Sequence, residues 1–401
     1  MQKLKLMIIT AIDVANRRLA PNQRVHHVIR FLATRCSQVT VLYNSMAPFE
    51  KKWSMWKRLV HIRDLEKAVN WQDGNIKYIE VHTNFFRFWH SAIHSTTGPA
   101  LTFLHGLLRD SSVFDVAVAS TPWAGIVALW LKRLGRIRAV VYEDYDFFPG
   151  FYINQPDVFR AIMRIENRCI AESDAVISVG EELAALRRSF TQRPVYVVEN
   201  GYESQLFRPA ASPRFDPPVL IYTGSLEHWA GVDLVIRAMP FILKQRSDAE
   251  LHIIGSGPAE AEWKALVEEL GLGGRVIFLG RKPYHELSRY TANATIGICT
   301  FRPSPLTRYA FPLKIAEYMA VGLPVLGTDV GDITRVIRQS QAGCLTDGSP
   351  EDIAGAVMEM LDSAQHTRLR QHALLYAERL SWERLMWRQW EIICAIFKMV
   401  P

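Results

Sequence analysis

Short apolar runs, largely β-branched, alternate with helix-like patterns along the whole chain. They include residues 6–9 (LMII), 39–42 (VTVL) and 139–142 (AVVY), and the rhythm resumes at 219–223 (VLIYT) and 250–254 (ELHII). Apolar strands of this kind are typical of parallel sheets that are covered by helices on both faces. The pattern therefore predicts an α/β fold with doubly wound parallel sheets.

A proline-rich stretch divides this pattern into two halves. Residues 208–218 (RPAASPRFDPP) contain four prolines, a composition typical of linkers between domains. The chain has 401 residues, of which 49% are hydrophobic, so it is long enough for two cores. We predict two Rossmann-like domains, residues 1–207 and 208–375, facing each other across a cleft. A C-terminal helix within residues 376–401 could pack back on the first domain.

The cysteines and the apolar segments favour a cytoplasmic protein. Five cysteines are scattered without a C-x-x-C pair, so neither a zinc ribbon nor a disulfide framework is indicated. The N-terminal residues 1–13 fit a first strand better than a signal peptide, because charge returns at Asp13. Residues 116–131 are uncharged but contain Pro122 and Gly125, and they are too few for a membrane-spanning helix.

Basic charge and aromatic residues concentrate in the first half. Residues 1–200 contain 26 Lys and Arg against 18 Asp and Glu, whereas residues 201–401 contain 21 against 22. Two segments, 51–63 (KKWSMWKRLVHIR) and 84–90 (NFFRFWH), mix cations with aromatic rings, as interfacial segments do. We predict an anionic membrane surface as a partner, at the inner face of the cytoplasmic membrane. Core aromatics with basic side chains reaching to solvent are the alternative; no nucleic-acid module is recognisable, so no nucleic-acid partner is predicted.

Residues 311–324 (FPLKIAEYMAVGLP) carry the strongest functional signal. Pro312 suits the start of a helix, Leu313 and the residues after it continue it, and Gly322 ends it. A lysine in the first turn, Lys314, opposes the helix dipole unless an anion binds there. Glu317 follows one turn later and is placed to accept hydrogen bonds from ribose hydroxyls. The alternative is an exposed ion pair between Lys314 and Glu317.

The spacing P-x-K-x-x-E-Y-M-A-x-G-x-P-V in this segment resembles the donor-binding helix of GT-B glycosyltransferases, related to the large retaining family with an E-x7-E motif. The resemblance extends to the strand and turn segments 222–226 (YTGSL), 254–258 (IGSGP), 278–280 (FLG) and 298–301 (ICTF). It implies a GT-B fold and a nucleotide-diphosphate sugar as donor, with UDP or GDP as the nucleotide. It also implies metal-independent transfer without a cofactor.

The chain departs from that family at three positions. Tyr309 stands where the first glutamate of E-x7-E would fall, and Ser225 and Ala230 replace an arginine and a lysine near the diphosphate. The sequence is therefore more similar to the branch that includes the xanthan glucuronosyltransferase, which implies a hexosyl- or glucuronosyltransferase. By this resemblance the donor site comprises Gly224, Ser225, Leu226, Lys282, Phe301, Pro312, Leu313, Lys314 and Glu317. Lys314 takes the main phosphate role, and Leu226 and Lys282 border the base.

Residues 139–149 (AVVYEDYDFFP) run from a strand into three carboxylates among aromatic rings. Such surroundings raise carboxylate pKa values and can create a general base. The spacing of Tyr142 and Asp146 matches the strand end that carries the catalytic aspartate of the xanthan-type enzyme, so Asp146 is predicted as the base, with Asp144 second. As alternatives, Asp144 and Asp146 form a D-x-D metal motif, or Asp146 caps a following helix.

The combined prediction is a glycosyltransferase that moves a sugar from a nucleotide-diphosphate sugar to a hydroxyl of a saccharide acceptor. The acceptor is predicted to be lipid-linked, as a polyprenyl-linked saccharide, in the synthesis of a cell-surface polysaccharide or glycolipid. A GT-B-fold sugar-nucleotide epimerase is an alternative. A non-catalytic sugar-nucleotide-binding protein is another, and Tyr309, Ser225 and Ala230 favour it.

Overall fold

The computed structural model describes residues 4–12, 14, 20–45, 70–82, 111–209 and 215–399. The two aromatic-basic segments at residues 51–63 and 84–90 lie outside the described residues. The strands are β1 (Lys5–Thr10), β2 (Gln38–Ser45), β3 (Asn70–Asp73), β4 (Ile76–His82), β5 (Phe114–Ser120), β6 (Ile137–Asp144), β7 (Ala175–Ser178), β8 (Val195–Val197), β9 (Val219–Thr223), β10 (Glu250–Ile254), β11 (Val276–Gly280), β12 (Ile296–Cys299), β13 (Val325–Thr328) and β14 (Gly343–Thr346).

Helices alternate with these strands along most of the described chain. The α-helices are α1 (Ala20–Arg35), α2 (Pro122–Arg133), α3 (Pro156–Glu172), α4 (Glu181–Arg188), α5 (Val232–Gln245), α6 (Glu260–Glu269), α7 (Tyr284–Ala292), α8 (Pro305–Arg308), α9 (Leu313–Ala320), α10 (Gly331–Ser340), α11 (Pro350–Leu361), α12 (Ser363–Ala377) and α13 (Trp382–Met399). Short 3-10 turns occur at Phe148–Tyr152, His228–Ala230 and Glu378–Leu380. None of the helices in the described ranges combines the length and apolar character needed to cross a bilayer.

The chain forms two compact units, one of them discontinuous in sequence. Unit 1 comprises Met1–Val198 together with Met386–Pro401, and unit 2 comprises Glu199–Leu385. Helix α13 therefore begins in unit 2 and continues in unit 1. Within unit 1, the guanidinium of Arg35 lies 4.0 Å from the centroid of the Trp387 ring, so this last helix packs against α1.

Unit 1 is built on a sheet with the strand order β3-β4-β2-β1-β5-β6-β7-β8. Its pairs are parallel except β3 with β4, which form an antiparallel hairpin at the edge. The hairpin turn contains Gly74 at φ +59°, a left-handed conformation that glycine adopts without steric cost. The rings of Trp71 and Tyr78 stack across it at 3.6 Å. The β1, β5 and β6 strands are almost wholly buried, as their apolar sequences predict.

Unit 2 contains a smaller parallel sheet with the order β11-β10-β9-β12-β13-β14. Strand β9 lies between β10 and β12, and the chain order reverses there, which is where doubly wound sheets bind ligands. The turn after β9 and the helices that follow β12 thus meet at one edge of the sheet. The predicted α/β class, with two doubly wound parallel sheets, is confirmed.

Candidate functional site

Helix α9 begins one residue after Pro312, which has an extended conformation with ψ 119°. It buries an apolar face that includes Ile315, Ala316 and Met319. Gly322, at φ +78°, lies two residues beyond the last helical residue and turns the chain toward β13. Because the helix is short and anchored by its apolar face, the side chains of its first turn are held in fixed positions.

The Lys314 ammonium packs against two aromatic rings. Its Nζ is 3.8 Å from the centroid of the Tyr222 ring and 5.5 Å from that of Phe301. Burial lowers the pKa of Lys314 to about 8. Over the described parts of the chain, no carboxylate lies within ion-pair distance of this ammonium. A cation that is partly withdrawn from water and lacks a counter-ion is well suited to bind an anion.

The turn after β9 approaches this ammonium closely. Gly224 has φ +143°, and a Cβ atom added there would lie 3.0 Å from Lys314 Nζ. A Cβ atom on Gly255 would lie 1.8 Å from the Gly224 carbonyl oxygen, so the turn after β10 packs directly behind. The backbone N–H of Leu226 donates to the Ser256 carbonyl at 3.1 Å. These glycines let two turns and one cation share a small volume.

Glu317 lies one turn further along α9 and is only 4% exposed. Its Oε1 atom has no hydrogen-bond partner among the residues described. Burial raises the pKa of Glu317 to about 7, while the nearby Tyr284 hydroxyl and the Lys314 charge oppose that rise. The alternative of an exposed ion pair between Lys314 and Glu317 does not fit this buried position. A buried carboxylate oxygen without a partner is costly unless a ligand completes it.

The predicted donor residues are therefore brought together only in part. Gly224 and Phe301 both lie near Lys314. Ser225 and Leu226 follow Gly224 in the same turn, and Pro312, Leu313 and Glu317 are on or beside the same helix. The Lys282 ammonium instead lies 5.8 Å from the centroid of the Tyr290 ring on α7. The Phe301 carbonyl accepts a hydrogen bond of 2.6 Å from the Thr328 hydroxyl, which fixes the strand end.

Sequence reasoning missed three residues around this helix. Tyr222 provides the ring beneath the ammonium, yet in sequence it looks like one more apolar residue of β9. Tyr284 faces Glu317 from the start of α7. The Asn200 side-chain amide donates to the Phe311 carbonyl at 3.0 Å and so holds the residue before Pro312. The N-G pair at 200–201 was a turn signal, but its partner lies 111 residues away.

The end of β6 in unit 1 carries the three carboxylates of the second predicted cluster. Glu143 is buried and accepts from the Tyr145 hydroxyl at 2.6 Å and from the Gln389 amide at 2.8 Å. Arg24 on α1 also donates to it, at 3.4 Å. Its oxygens therefore already have partners within the fold, and Glu143 acts as a buried connection between α1, β6 and α13.

Asp144 also has hydrogen-bond partners within the fold. Arg187 on α4 donates to its two oxygens at 2.8 Å and 3.0 Å, and the Ser178 hydroxyl adds a contact of 3.2 Å. The same guanidinium lies 2.9 Å from Glu166 on α3. A fully buried carboxylate in a bidentate ion pair cannot reach an acceptor hydroxyl, so the geometry does not favour Asp144 as a base or as half of a D-x-D metal motif.

Asp146 differs from both neighbours because it is half-buried. The 3-10 turn that follows, Phe148–Tyr152, has no side-chain cap hydrogen bond, so the capping alternative does not describe this aspartate. Withdrawal from water and the adjacent Asp144 charge raise its pKa to about 7. A carboxylate that titrates near neutrality and has access to solvent is suited to accept a proton.

Comparisons with known proteins relate unit 2 by sequence, and the chain by fold, to glycosyltransferases. Residues 217–363, most of unit 2, match the family model described as "Glycosyl transferases group 1". A D-inositol 3-phosphate glycosyltransferase from Acidothermus cellulolyticus is 29% identical over 287 residues, which cover 66% of this chain and 61% of that protein. An uncharacterized glycosyltransferase from Methanocaldococcus jannaschii is 27% identical, over 67% of this chain and 70% of its own length.

Solved structures resemble the whole described architecture. Sucrose-phosphate synthase from Thermosynechococcus elongatus superimposes with a TM-score of 0.77 at 17% identity, covering 99% of this chain and all (100%) of that one. Anabaena HepE in complex with UDP gives a TM-score of 0.69 at 16% identity, covering 98% of this chain and 100% of its own. The fold expected from the donor-helix motif is thereby confirmed, whereas the particular branch is not.

Proposed function

From a chain with the GT-B fold of glycosyltransferases and a glycosyltransferase group 1 domain in unit 2, we infer a sugar transferase that uses a nucleotide-diphosphate sugar. The acceptor is a hydroxyl of a saccharide, and the product belongs to a cell-surface polysaccharide or glycolipid. The alignment covers only 61% of the Acidothermus relative. The activity, substrates and partners of this chain are therefore proposed from its own residues and not taken from that relative.

The observation that carries the proposal is the pair of incomplete charges on α9. Lys314 is a cation without a carboxylate partner in the described ranges, and Glu317 is a buried carboxylate whose two oxygens accept no hydrogen bond of good geometry from any described residue. A nucleotide-diphosphate sugar would complete both, because its diphosphate offers anionic oxygens and its ribose offers hydroxyl donors. Phosphate oxygens would approach the Gly224 turn and the first two residues of α9, Leu313 and Lys314, whose backbone N–H groups have no intrahelical acceptor. The Ile315 N–H already donates to the Pro312 carbonyl.

Asp146 is proposed as the general base. It would take the proton of the acceptor hydroxyl while that oxygen forms a bond to the anomeric carbon and the bond from this carbon to the diphosphate breaks. The nucleoside diphosphate then leaves with the bonding electron pair, and Lys314 stabilises the added negative charge. Attack opposite the leaving group inverts the anomeric configuration. The transfer needs no metal in this proposal, since the ammonium and the backbone N–H groups supply the positive charge.

The proposed acceptor is lipid-linked, presented at the inner face of the cytoplasmic membrane. The support is the excess of basic residues in the first half of the sequence and the two cation-rich aromatic segments, 51–63 and 84–90. Co-sedimentation with vesicles that contain anionic lipid, at low salt, measures this association. Equal recovery in the supernatant with and without vesicles would refute the membrane part and leave the transfer unaffected.

Donor binding and turnover form the direct test. Thermal shift with UDP, GDP and their sugar derivatives should identify a stabilising ligand. Nucleotide release should then require an added acceptor, because an epimerase would release nucleotide without one. A protein that is stabilised by none of these nucleotides would overturn the proposal.

The assignment of the base has its own experiment. Asp146→Asn should retain donor binding and lower kcat by about 10²- to 10⁴-fold, the usual contribution of a general base. In the wild type, kcat should fall as the pH drops through about 7, where Asp146 becomes protonated. Asp157→Asn, an exposed aspartate paired with Arg160, serves as the control. Turnover by Asp146→Asn at the rate of this control would remove Asp146 from the chemistry.

A further inference from the structure

Tyr284 places a buried hydroxyl beside Glu317. The residue is the first of helix α7, and its ring packs on that of Phe207 with 5.7 Å between centroids. Its hydroxyl is buried and, in the described parts of the chain, makes no hydrogen bond of good geometry. Glu317 Oε1 is in the same condition. The hydroxyl is near enough to lower the pKa of the Glu317 carboxylate, so two buried polar groups of complementary type are neighbours without a complete hydrogen bond.

Such a pair is unusual in a folded protein. Most buried side-chain polar atoms have a partner, and each exception lowers the stability of the fold. A reorientation of the carboxylate would complete this hydrogen bond, and a ligand on the other carboxylate oxygen would favour that orientation. In binding sites, carboxylates are commonly held by a neighbour that fixes their orientation while one edge receives the ligand.

We propose that Tyr284 is a positioning residue for nucleotide binding: its hydroxyl donates to the inner oxygen of Glu317 and holds the carboxylate toward the ribose hydroxyls of the donor. This inference rests on the proposed function, since it assigns Tyr284 a role at the same donor site. Tyr284 itself does not touch the reacting atoms. It acts through Glu317, which is why its effect should depend on the ionisation of that carboxylate.

The groups around Glu317 fix the direction of the pH dependence. Lys314 and the Tyr284 hydroxyl lower its pKa against the dominant effect of burial, which brings it to about 7. Tyr318 on the same helix also lies near, but its hydroxyl is bonded to the Thr223 N–H at 2.9 Å and stays engaged. Glu203 acts on Tyr284 and raises its pKa further, so the tyrosine stays protonated. Removal of the Tyr284 hydroxyl should therefore raise the pKa of Glu317.

The test is UDP binding by titration calorimetry from pH 6 to 8, or GDP binding if the wild type binds only GDP. Wild-type affinity should weaken as the pH falls below about 7, because ribose hydroxyls need the ionised carboxylate. Tyr284→Phe keeps the ring on Phe207. The loss of nucleotide affinity toward low pH should begin at a higher pH in this variant than in the wild type. Its affinity should be about three- to tenfold weaker at pH 6.5, and the difference should shrink at pH 8.

Two control variants make the result specific. Glu317→Gln should abolish the loss of nucleotide affinity between pH 7 and pH 6. The double variant Glu317→Gln/Tyr284→Phe should bind much as Glu317→Gln does, because the group that Tyr284 orients is no longer ionisable. Tyr376→Phe removes a hydroxyl that contacts Gln339 at 3.4 Å, away from the site, and should bind as the wild type. If Tyr284→Phe has the wild-type pH profile, the inference is wrong while the donor site stands. If the wild type binds neither nucleotide, the proposed function itself is wrong.

Discussion

Unit 1 and unit 2 each contain a cluster of buried charges, and the two clusters differ in how far the fold completes them. At the end of β6, the guanidinium of Arg187 holds Asp144 through two bonds and also contacts Glu166. On α9 of unit 2, Lys314 packs on aromatic rings and has no carboxylate within ion-pair distance among the residues that the structure describes. We call the first cluster closed, because both Asp144 oxygens accept hydrogen bonds and Glu166 lies within ion-pair distance of the same guanidinium. The Glu166 oxygens and Arg187 Nη1 make no further hydrogen bond of good geometry in the described structure. We call the second cluster open, because its cation is available to a ligand.

The difference shows that burial alone does not mark a functional charge. Asp144 and Glu317 are both almost inaccessible, yet Asp144 has a donor at each oxygen, whereas Glu317 accepts no hydrogen bond of good geometry from any described residue. Removing a partner from a closed cluster should damage stability, whereas removing a charge from an open cluster should damage binding. Three substitutions, in order of decreasing effect, test this contrast.

Arg187→Met should give the largest effect, on stability. It leaves Asp144 and Glu166 buried without their shared cation, which typically costs 3–5 kcal/mol. The measurement is the free energy of unfolding from a denaturant titration. Arg133→Met removes the exposed partner of Glu172 and should cost about 1 kcal/mol or less. Equal losses in the two variants would mean that the β6 cluster does not stabilise unit 1.

Lys314→Met should give the next largest effect, on binding. Loss of a charge-assisted contact to phosphate should weaken donor affinity by about 10- to 100-fold. The free energy of unfolding should not fall, because a partly buried, unpaired charge is removed. Wild-type affinity should also decline as the pH rises above about 8, where the ammonium deprotonates, and the variant should lack that decline.

Lys244→Met provides the matched control for this lysine. Lys244 also lies over an aromatic ring, with 5.2 Å between its Nζ and the centroid of Phe241, but it is on the exposed side of α5. Its donor affinity should equal that of the wild type. If Lys314→Met lowers the free energy of unfolding and leaves donor affinity unchanged, Lys314 stabilises the fold as Arg187 does, and the contrast between the two clusters is wrong.

Asn200→Ala should give the smallest effect of the three. It removes the hydrogen bond to the Phe311 carbonyl at the start of α9, a loss of about 1 kcal/mol, and donor KM should rise severalfold. Asn75→Ala removes amide bonds of 2.8 Å and 3.1 Å to the Ala33 and Cys36 carbonyls in unit 1. It should lower stability by a similar amount without changing donor KM. A KM increase in both variants would point to general loosening rather than to positioning.

The fold class could be predicted from local sequence patterns. Apolar strands such as β1 and β6 have the composition of buried parallel strands, and helical segments follow them at regular intervals. The edge hairpin of β3 and β4 was not predicted, although Gly74 marks its turn. The motif around Lys314 and Glu317 was informative because a helix places both residues on one face by geometry alone.

Whether each charged side chain has a partner depends on residues that are distant in sequence, so it could not be predicted. Asp144 and Asp146 are two residues apart and chemically alike, and only Arg187, 43 positions after Asp144, tells them apart. The roles of Tyr222 and Tyr284 could not be predicted for a similar reason, since a tyrosine within an apolar run is more often part of the core. Long-range pairing decided which carboxylates remain available, and one sequence contains little information on that pairing.

The return of α13 to unit 1 has a consequence for the order in which the protein matures. Residues 1–198 of unit 1 are made before unit 2, yet Gln389, which bonds Glu143, is made after it. Unit 2 is a continuous insertion within it and can finish folding first. The part of unit 1 that precedes unit 2 should therefore acquire its full protection from proteases only after synthesis has passed residue 389.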